Sequence, residues 1–325
     1  MKKRILCIGN ALVDIIKVMD NDDVLSKLSL PKGSMQLVDE QTQKSLLEET
    51  KHFSQTMVSG GSAANTANAL ANLGIDTGYI GIVGKDSLGE FFVTDMRHNG
   101  IKPQVFTSST KATGAALTLV STDGERTFAT YLGAAMELDA SLLKTEYFVG
   151  YDYVHIEGYL IANRKLMETI FAIAENLNIK ISLDLASYNV VEQHLEFLQE
   201  LCQRANVIFA NEDEATAFTG LEAEKAVEEI ARYCEIAVVK IGAKGSLVAA
   251  SEVFKISEAT PRQKLDTTGA GDMYAGGFLA ALLQDKDLAK CGNYGSIVAG
   301  NVIEVLGTKM DTNQWEKIRQ EISAL

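Results

Sequence analysis

The sequence has little proline and cysteine, and it contains no long apolar run. Its 325 residues include three prolines and no low-complexity tract, which argues against a flexible linker between independently folding units. The four cysteines form no C-x-x-C pair, so neither a zinc site nor thiol redox chemistry is expected. No window holds eighteen consecutive apolar residues, so no membrane-spanning helix is expected.

Positive charge is also scarce. Lysine and arginine number 30 against 43 aspartates and glutamates, a net charge of −13 that argues against nucleic-acid binding. An anionic ligand would therefore need a local binding device. The apolar run at 5–9 is too short for a signal peptide, and the scattered cysteines suit a reducing compartment, so we expect a cytoplasmic protein.

Short β-rich runs alternate with helical patterns over most of the chain. The β-rich runs lie at 5–8, 78–83, 153–156, 179–183, 207–210 and 236–241. The helical patterns lie at 62–73, 86–99, 163–177, 192–203, 211–219, 222–234, 270–284, 287–305 and 313–324. This alternation predicts an α/β fold whose mostly parallel sheet is covered by helices on both faces.

Two stretches break the alternation with extended runs and no intervening helix. These runs lie at 11–18, 34–38, 105–107, 114–121 and 126–132, and the turn TDGE at 122–125 predicts a hairpin. We expect a small antiparallel sheet that is inserted at two points and serves as a lid over the carboxyl edge of the core sheet. The predicted boundaries are 1–10, 40–104 and 134–325 for the core, and 11–39 and 105–133 for the lid.

The sharpest motif is DTTGAGD at 266–272, which opens a predicted helix. Small residues at a helix start leave backbone N–H groups free to bind an anion, and Asp272 beside them could accept a proton from an attacking hydroxyl. The alternative is a tight turn with Asp272 as a capping carboxylate. The pair Gly276-Gly277 costs about 1 kcal/mol per glycine against alanine, so it calls for a packing or ligand explanation.

A second cluster could bind sugar hydroxyls. Gly60 and Gly61 precede a small-residue helix that carries Asn65, and Asp14 follows the first strand. An ionised Asp14 can accept hydrogen bonds from two vicinal hydroxyls. The alternatives are tight helix packing behind an N-capping Ser62, and a turn or cap role for Asp14.

Two further segments follow predicted strands. The run NEDE at 211–214 could organise Mg²⁺ through water, and the loop GAKG at 242–245 could pass close to a nucleotide. The alternatives are an acidic first helical turn and a hairpin loop. The sequence lacks a Walker-type phosphate loop, protein-kinase signatures and a dinucleotide-binding turn, and we expect its four histidines to be structural or exposed.

Four motifs together resemble the ribokinase, or PfkB, family of carbohydrate and nucleoside kinases. They are GG-x3-N at 60–65, G-x2-G-x-D-x2-G at 81–89, N-x2-E at 211–214, and DTTGAGD at 266–272. The resemblance covers essentially the whole chain and implies a three-layer α/β sandwich with a small β lid. It also implies that Asp272 is the catalytic base, that Gly269, Ala270 and Gly271 form the anion hole, and that Arg126 on the lid reaches the transferring phosphate.

The resemblance implies further roles. Substrate hydroxyls would be held by Asn10, Asp14, Gly60, Gly61 and Asn65. The nucleotide would be bound by Asn211, Glu214, Lys240, Gly242, Gly245 and Thr267. ATP and Mg²⁺ would be required, with Glu214 holding the metal through water, and a K⁺ site near Asp266, Thr268 and the turn at 302–307 is a further expectation.

The segments at 10–15, 36–39 and 125–134 are similar to those of bacterial adenosine-kinase-like members. The expected acceptor is therefore a ribonucleoside such as adenosine, ahead of a free sugar such as ribose or fructose. A kinase fold used only as a nucleoside or sugar sensor is the alternative from another class. No nucleic-acid or membrane partner is expected, and the strand edges of the lid favour a homodimer.

Overall fold

The computed structural model describes residues 3–250, 253–256, 262 and 264–325, which form two sheets. The strands of the large sheet are β1 (Arg4–Ile8), β5 (Asp76–Gly84), β6 (Lys102–Ser108), β9 (Tyr153–Glu157), β10 (Lys180–Asp184), β11 (Val207–Asn211), β12 (Ile236–Lys240), β13 (Ser246–Ala249) and β14 (Val253–Ile256). Their order is β14-β13-β12-β11-β10-β9-β1-β5-β6. Strands β6 to β12 of this order pair in parallel, whereas β13 and β14 add antiparallel.

Helices cover both faces of the large sheet. They are α3 (Ser62–Asn72), α4 (Ser87–His98), α5 (Arg164–Asn176), α6 (Tyr188–Cys202), α7 (Glu212–Thr219), α8 (Ala223–Ile230), α9 (Ala270–Leu283), α10 (Leu288–Val302) and α11 (Thr312–Ser323). Neighbouring strand residues enter different cores: Ile208 packs with Ile170 of α5, and Phe209 packs with Phe278 of α9. Burial on both faces explains why the strands read as unbroken apolar runs. The predicted three-layer fold is confirmed.

The small sheet has five strands. They are β2 (Leu12–Val18), β3 (Met35–Leu37), β4 (Gln55–Gly60), β7 (Gly114–Val120) and β8 (Arg126–Tyr131), in the order β3-β8-β7-β2-β4. Two short helices, α1 (Asp23–Lys27) and α2 (Glu40–Glu49), add Leu25 and Leu46 to its buried face. The predicted hairpin joins β7 to β8, and Gly124 adopts a φ of +85° in its turn.

Three expectations about the small sheet were wrong. The run at 105–107 belongs to β6 of the large sheet, where it pairs with β5 after α4, instead of to the lid. Strand β4 lies in the small sheet although the predicted boundaries gave it to the core. The sheet is mixed instead of antiparallel, because β2 pairs in parallel with β7, and β3 with β8. A short extended run carries no signal for its partner, which long-range pairing decides.

In the described part of the chain, none of the helices combines the length and the apolar character that a bilayer crossing needs.

Candidate active site

Asp272, in the first turn of α9, faces the start of α3. Its Oδ1 accepts a hydrogen bond from Ser62 Oγ at 2.7 Å, and its Oδ2 accepts one from Asn65 Nδ2 at 2.9 Å. Burial raises the pKa of Asp272 to about 6, although these two hydrogen bonds oppose the shift. Both oxygens therefore bond to another helix instead of capping α9, and the carboxyl group titrates close to neutral pH, as a general base should.

The segment before Asp272 presents backbone amides. Gly269 precedes α9 with a φ of +68°, and an added Cβ there would lie 2.3 Å from Thr308 Cγ2, so only glycine fits. Among the described residues, the amides of Gly269 and Gly271 have no backbone acceptor, whereas the amide of Ala270 donates to Thr267 O at 3.2 Å. The amides that are free for an anion are thus those of the two glycines, at the positive end of the helix dipole.

Asp266 holds this loop in place. Its Oδ1 accepts from the backbone N of Thr268 at 2.7 Å, and its Oδ2 accepts from the backbone N of Gly307 at 2.8 Å. Arg126 of β8 also forms an ion pair with Oδ1, which brings the small sheet onto residues 266–271, called the anion loop below. The role of Arg126 on a transferring phosphate stays a prediction. The K⁺ site expected near Asp266 also stays a prediction.

Lys240, at the end of β12, lies beside the anion loop. Its Nζ donates to Asp184 Oδ2 at 3.0 Å, and a Cβ added at Gly271 would lie 3.2 Å from that Nζ. Burial alone would lower the pKa of Lys240, but the carboxylates of Asp184 and Glu214 raise it. Lys240 is therefore a largely buried cation next to the free amides. Asp184, which ends β10, was not expected from the sequence.

Asn211 and Glu214 form the predicted acidic helix start. Glu214 Oε1 accepts from Asn211 Nδ2 at 2.6 Å and Oε2 from Asn211 N at 2.8 Å, while Asn211 caps α7. Burial, followed by the charge of Asp184, raises the pKa of Glu214 to about 7. The segment is thus the acidic first helical turn that the alternative named, and the buried carboxylate of Glu214 lies within electrostatic reach of Asp272. The nucleotide and metal contacts of Asn211 and Glu214 stay predictions.

These carboxylates fit a magnesium ion held through water. The charges of Asp184 and Asp272 raise the pKa of Glu214, and the charge of Asp184 also raises the pKa of Asp272. Lys240 supplies one positive charge for these three carboxyl groups, so a further cation would stabilise their ionised forms. Glu214 already accepts two hydrogen bonds, which favours water between it and the ion. In the described ranges, no group of three or more His, Cys, Asp or Glu is arranged to hold a metal directly.

The glycine loop after β12 is a hairpin turn to β13. Gly242 and Gly245 have φ values of +60° and +96°, and the amide of Ile241 donates to Gly245 O at 2.9 Å. The hairpin alternative is therefore correct, and nucleotide contact by these two glycines and by the exposed Thr267 stays a prediction.

Asp14 lies in β2 of the small sheet, not at the edge of the large one. A Cβ added at Gly60 would lie 2.3 Å from Asp14 Oδ2, so the carboxylate covers the Gly60 backbone. Burial, followed by the charges of Asp272 and Asp266, raises the pKa of Asp14 to about 7. No described residue donates a hydrogen bond to Asp14, so its oxygens are free to accept one from a ligand.

Asn10 and Gly61 border the same space. Gly61 has a φ of +100°, and an added Cβ would lie 2.1 Å from the carbonyl oxygen of Asn10. Asn10 Nδ2 donates to Glu157 Oε1 at 2.5 Å, and the amide of Ala63 donates to Glu157 Oε2 at 3.0 Å. Burial raises the pKa of Glu157 to about 7. The sequence reasoning missed Glu157, and the hydroxyl contacts predicted for Asn10 and Gly61 stay predictions.

Comparison with known proteins identifies the family. The profile of the pfkB family carbohydrate kinases matches residues 33–315. Similar solved structures include the adenosine kinase from Sinorhizobium meliloti, at 32% identity, 99% and 100% coverage of the two chains and a TM-score of 0.87. A probable sugar kinase from Rhizobium etli has 31% identity, 98% coverage of both chains and a TM-score of 0.88.

A similar sequence is that of an adenosine kinase from Schizophyllum commune. It is 24% identical over 343 aligned residues, which cover 97% of this chain and 98% of that relative. The family match covers most of the chain and agrees with the resemblance noted in the sequence. The chain thus belongs to the pfkB family of carbohydrate kinases.

Proposed function

We propose that this enzyme transfers the γ-phosphoryl group of ATP to the primary hydroxyl of a ribonucleoside, with adenosine as the first candidate. Phosphoryl transfer to an alcohol follows from the family. The adenosine kinase from Sinorhizobium meliloti, at 32% identity over almost the whole chain, supports the nucleoside. The observation that carries the proposal is the carboxylate of Asp272, oriented by Ser62 and Asn65 and lying between free backbone amides and the carboxylate of Asp14, which has no donor among the described residues.

The residues suggest a division of roles in the reaction. Asp272 takes the proton of the acceptor hydroxyl while the hydroxyl oxygen forms a bond to the γ-phosphorus. The bond between that phosphorus and the oxygen that bridges it to the β-phosphate breaks, which releases ADP. The free amides of Gly269 and Gly271 and the cation of Lys240 stabilise the charge on the transferred group. A bound Mg²⁺ ion would neutralise phosphate charge.

The exposed apolar side chains of the small sheet favour a nucleoside over a free sugar. The register places Met35 opposite Phe128, and residues two apart on a strand share a face, so Met35 and Leu37 lie on the face that carries Arg126. Asp14 lies on the same face, because it pairs with Ala116, which in turn pairs with Thr130 of β8. Met35 and Leu37 are 65% and 68% exposed. The planar base of a nucleoside would cover this apolar surface, whereas a free sugar has little apolar area with which to contact it.

A half-exposed aromatic ring lies within electrostatic reach of Asp184 and Asp272. Tyr159, two residues after Glu157, is 47% exposed. The pKa of Tyr159 is raised to about 12 by burial of its hydroxyl, followed by the charges of Asp184 and Asp272. A half-exposed aromatic ring in this position could stack on a planar base.

The test is a substrate panel with ATP and Mg²⁺, in which ADP release is measured and the product is identified. We expect turnover with adenosine and formation of its 5′-phosphate. Turnover with ribose or fructose only would support the second candidate, a sugar kinase, which the Rhizobium etli relative favours. No ADP above background with any acceptor would support a sensor.

A lid variant tests the choice of acceptor separately. Replacing Met35 and Leu37 together by serine should raise KM for adenosine about tenfold, because roughly 1.5 kcal/mol of apolar burial is lost. Gln36→Ser, which changes the residue between them on the other face, is the matched control. An unchanged KM would contradict contact between this face and the base.

We further propose that the enzyme acts in the cytoplasm on small molecules alone and that it pairs through the free edge of β3. The edge residues of β3 are all exposed, so a second strand could add there. Sedimentation at micromolar concentration should show a species of twice the mass of the chain. A single species with the mass of one chain would contradict the dimer.

A further inference from the structure

A buried carboxylate outside the catalytic groups connects three segments of the chain. Asp95 on α4 is 7% exposed. Its Oδ2 accepts from the backbone N of Ser59 at 3.0 Å and from Ser59 Oγ at 2.9 Å, and its Oδ1 accepts from Lys309 Nζ at 2.5 Å. Although burial raises the pKa of Asp95, the hydrogen bonds from Lys309 and Ser59 lower it below its usual value. The carboxylate is therefore ionised and fully bonded.

One of these partners sets the position of the acceptor loop, by which we mean residues 59–62. Ser59 is the residue before Gly60, whose backbone lies under the Asp14 carboxylate. Ser62, three residues on, donates to Asp272. The two hydrogen bonds that Ser59 donates to Asp95 thus fix the start of the segment that carries the substrate glycines and a contact to the base.

The other partner of Asp95 is Lys309, which follows two residues that contact the anion loop (residues 266–271). Gly307 donates to Asp266, and Thr308 packs against Gly269, where a Cβ would lie 2.3 Å from its Cγ2. Lys309 is the next residue. Any shift of the anion loop towards a bound phosphate must therefore be followed by Thr308 and, through the backbone, by Lys309.

We propose that Asp95 is a positioning residue that couples the anion loop to the acceptor loop. Nucleotide bound at the anion loop fixes residues 307–309, Lys309 fixes the Asp95 carboxylate, and that carboxylate fixes Ser59. Loss of one donor leaves a buried charge underbonded, so the carboxylate would turn away from its present geometry. The lysine side chain is 38% exposed, so it can be replaced without opening a cavity. The inference rests on the proposed function for the nucleotide at the anion loop and for the name of the acceptor loop, but not for the identity of the acceptor.

Hydrogen exchange tests the coupling without any acceptor. We expect a non-hydrolysable ATP analogue with Mg²⁺ to slow exchange in wild-type residues 266–273 and also, by about fivefold or more, in 55–64. In Lys309→Met, protection of 266–273 should persist while that of 55–64 is lost. Lys309→Arg, which keeps the cation, should restore it.

A second ion pair supplies the matched control. Lys102→Met removes a Lys–Asp contact of 2.6 Å to Asp76 at the other end of the strands and should behave as wild type. If Lys309→Met fails to fold, Asp95→Asn, which keeps the shape of the side chain, replaces it. Equal protection of 55–64 in wild type and the variant, or its absence in wild type, would overturn the coupling. Failure of adenosine as acceptor would refute the proposed function alone, because the measurement contains no acceptor.

Discussion

Asp14 and Asp272 differ in what their oxygens contact. Desolvation raises the pKa values of these two carboxyl groups to about 7 and about 6. Asp272 is oriented by Ser62 and Asn65, whereas Asp14 has no donor among the described residues. A carboxylate held by two fixed donors suits proton transfer with defined geometry, and one without donors suits binding of ligand hydroxyls.

Removing the Asp14 carboxylate should weaken acceptor binding. Asp14→Ala loses charge-assisted hydrogen bonds of roughly 1.5–3 kcal/mol, so KM for the acceptor should rise by about ten- to a hundredfold. Steady-state kinetics with varied acceptor measure it. Asp123→Ala, which changes an exposed carboxylate in the hairpin of the same sheet, is the control. A folded Asp14→Ala enzyme with wild-type KM and kcat would refute the role.

Arg126 offers a second test on the small sheet. Arg126→Met removes the cation that pairs with Asp266, and we expect kcat to fall by about ten- to a hundredfold because charge stabilisation at the anion loop is lost. Arg126→Lys should recover only part of the rate, since an ammonium cannot make the forked contacts of a guanidinium. Rapid-quench measurement of the transfer step would check both, and an unchanged rate in Arg126→Met would exclude a role in transfer.

At the scale of elements, the glycine pair in α9 has a packing explanation. A Cβ added at Gly276 would lie 2.4 Å from Ala69 Cβ of α3, and one at Gly277 would lie 2.6 Å from Tyr294 O of α10. The glycines let α9 approach both neighbours closely. This contact sets the distance between Asp272 on α9 and Asn65 on α3, so helix packing determines the geometry of the proposed base.

Gly276→Ala should therefore reduce stability and activity together. The clash with α3 should cost about 1–3 kcal/mol of unfolding free energy, and the separation of the helices should lower kcat. Gly220→Ala is the control, because that glycine ends α7 with a φ of +73° and open space around it. The unfolding free energy of Gly220→Ala should fall by about 1 kcal/mol, while its kcat should stay unchanged. Urea denaturation and kinetics on both variants distinguish packing from general destabilisation.

Local patterns predicted the elements whose signal lies within a few residues. The anion loop, its helix and the hairpin at 122–125 could be identified because helix starts and turns depend on neighbouring residues. Glu157 and Asp184 could not, since each is a single acidic residue at the end of an apolar strand. Their acidity at that position, at the carboxyl edge of a parallel sheet, was the only available signal.

Contacts between distant segments lay beyond the reach of the sequence. The membership of β4 and β6 in their sheets depends on partners far along the chain. The contact of Arg126 with Asp266 joins residues 140 positions apart and was expected only as contact with phosphate. Similarly, Lys309 and Asp95 carry no motif, and only the fold brings them together.

For the whole molecule, the buried carboxyl groups predict a stability that falls as pH rises. Asp14, Glu157 and Glu214 have pKa values of about 7, above their usual values, so the folded chain holds these protons more tightly than the unfolded chain. Their contribution is complete at low pH and is lost as pH rises through about 7. Burial lowers the pKa of His155 to about 4, so its contribution to stability increases with pH. This opposite effect is confined to pH values below the usual pKa of histidine.

We therefore expect the unfolding free energy to fall between about pH 6.5 and pH 8. Urea denaturation at both pH values measures it, with nucleotide and Mg²⁺ left out. Asp14→Asn, which removes one titrating group whose oxygens have no donor, should reduce the fall. A wild-type stability that is constant or rises over this interval would contradict the raised pKa values.

The central claim is that the carboxylate of Asp272, beside the free amides at the start of α9, is the base for phosphoryl transfer. Asp272→Asn keeps the shape of the side chain but cannot take the proton, so kcat with the best acceptor should fall by about a hundredfold to ten-thousandfold while KM changes less. Binding of a non-hydrolysable ATP analogue confirms that the variant is folded. A folded Asp272→Asn enzyme with wild-type turnover would contradict the account.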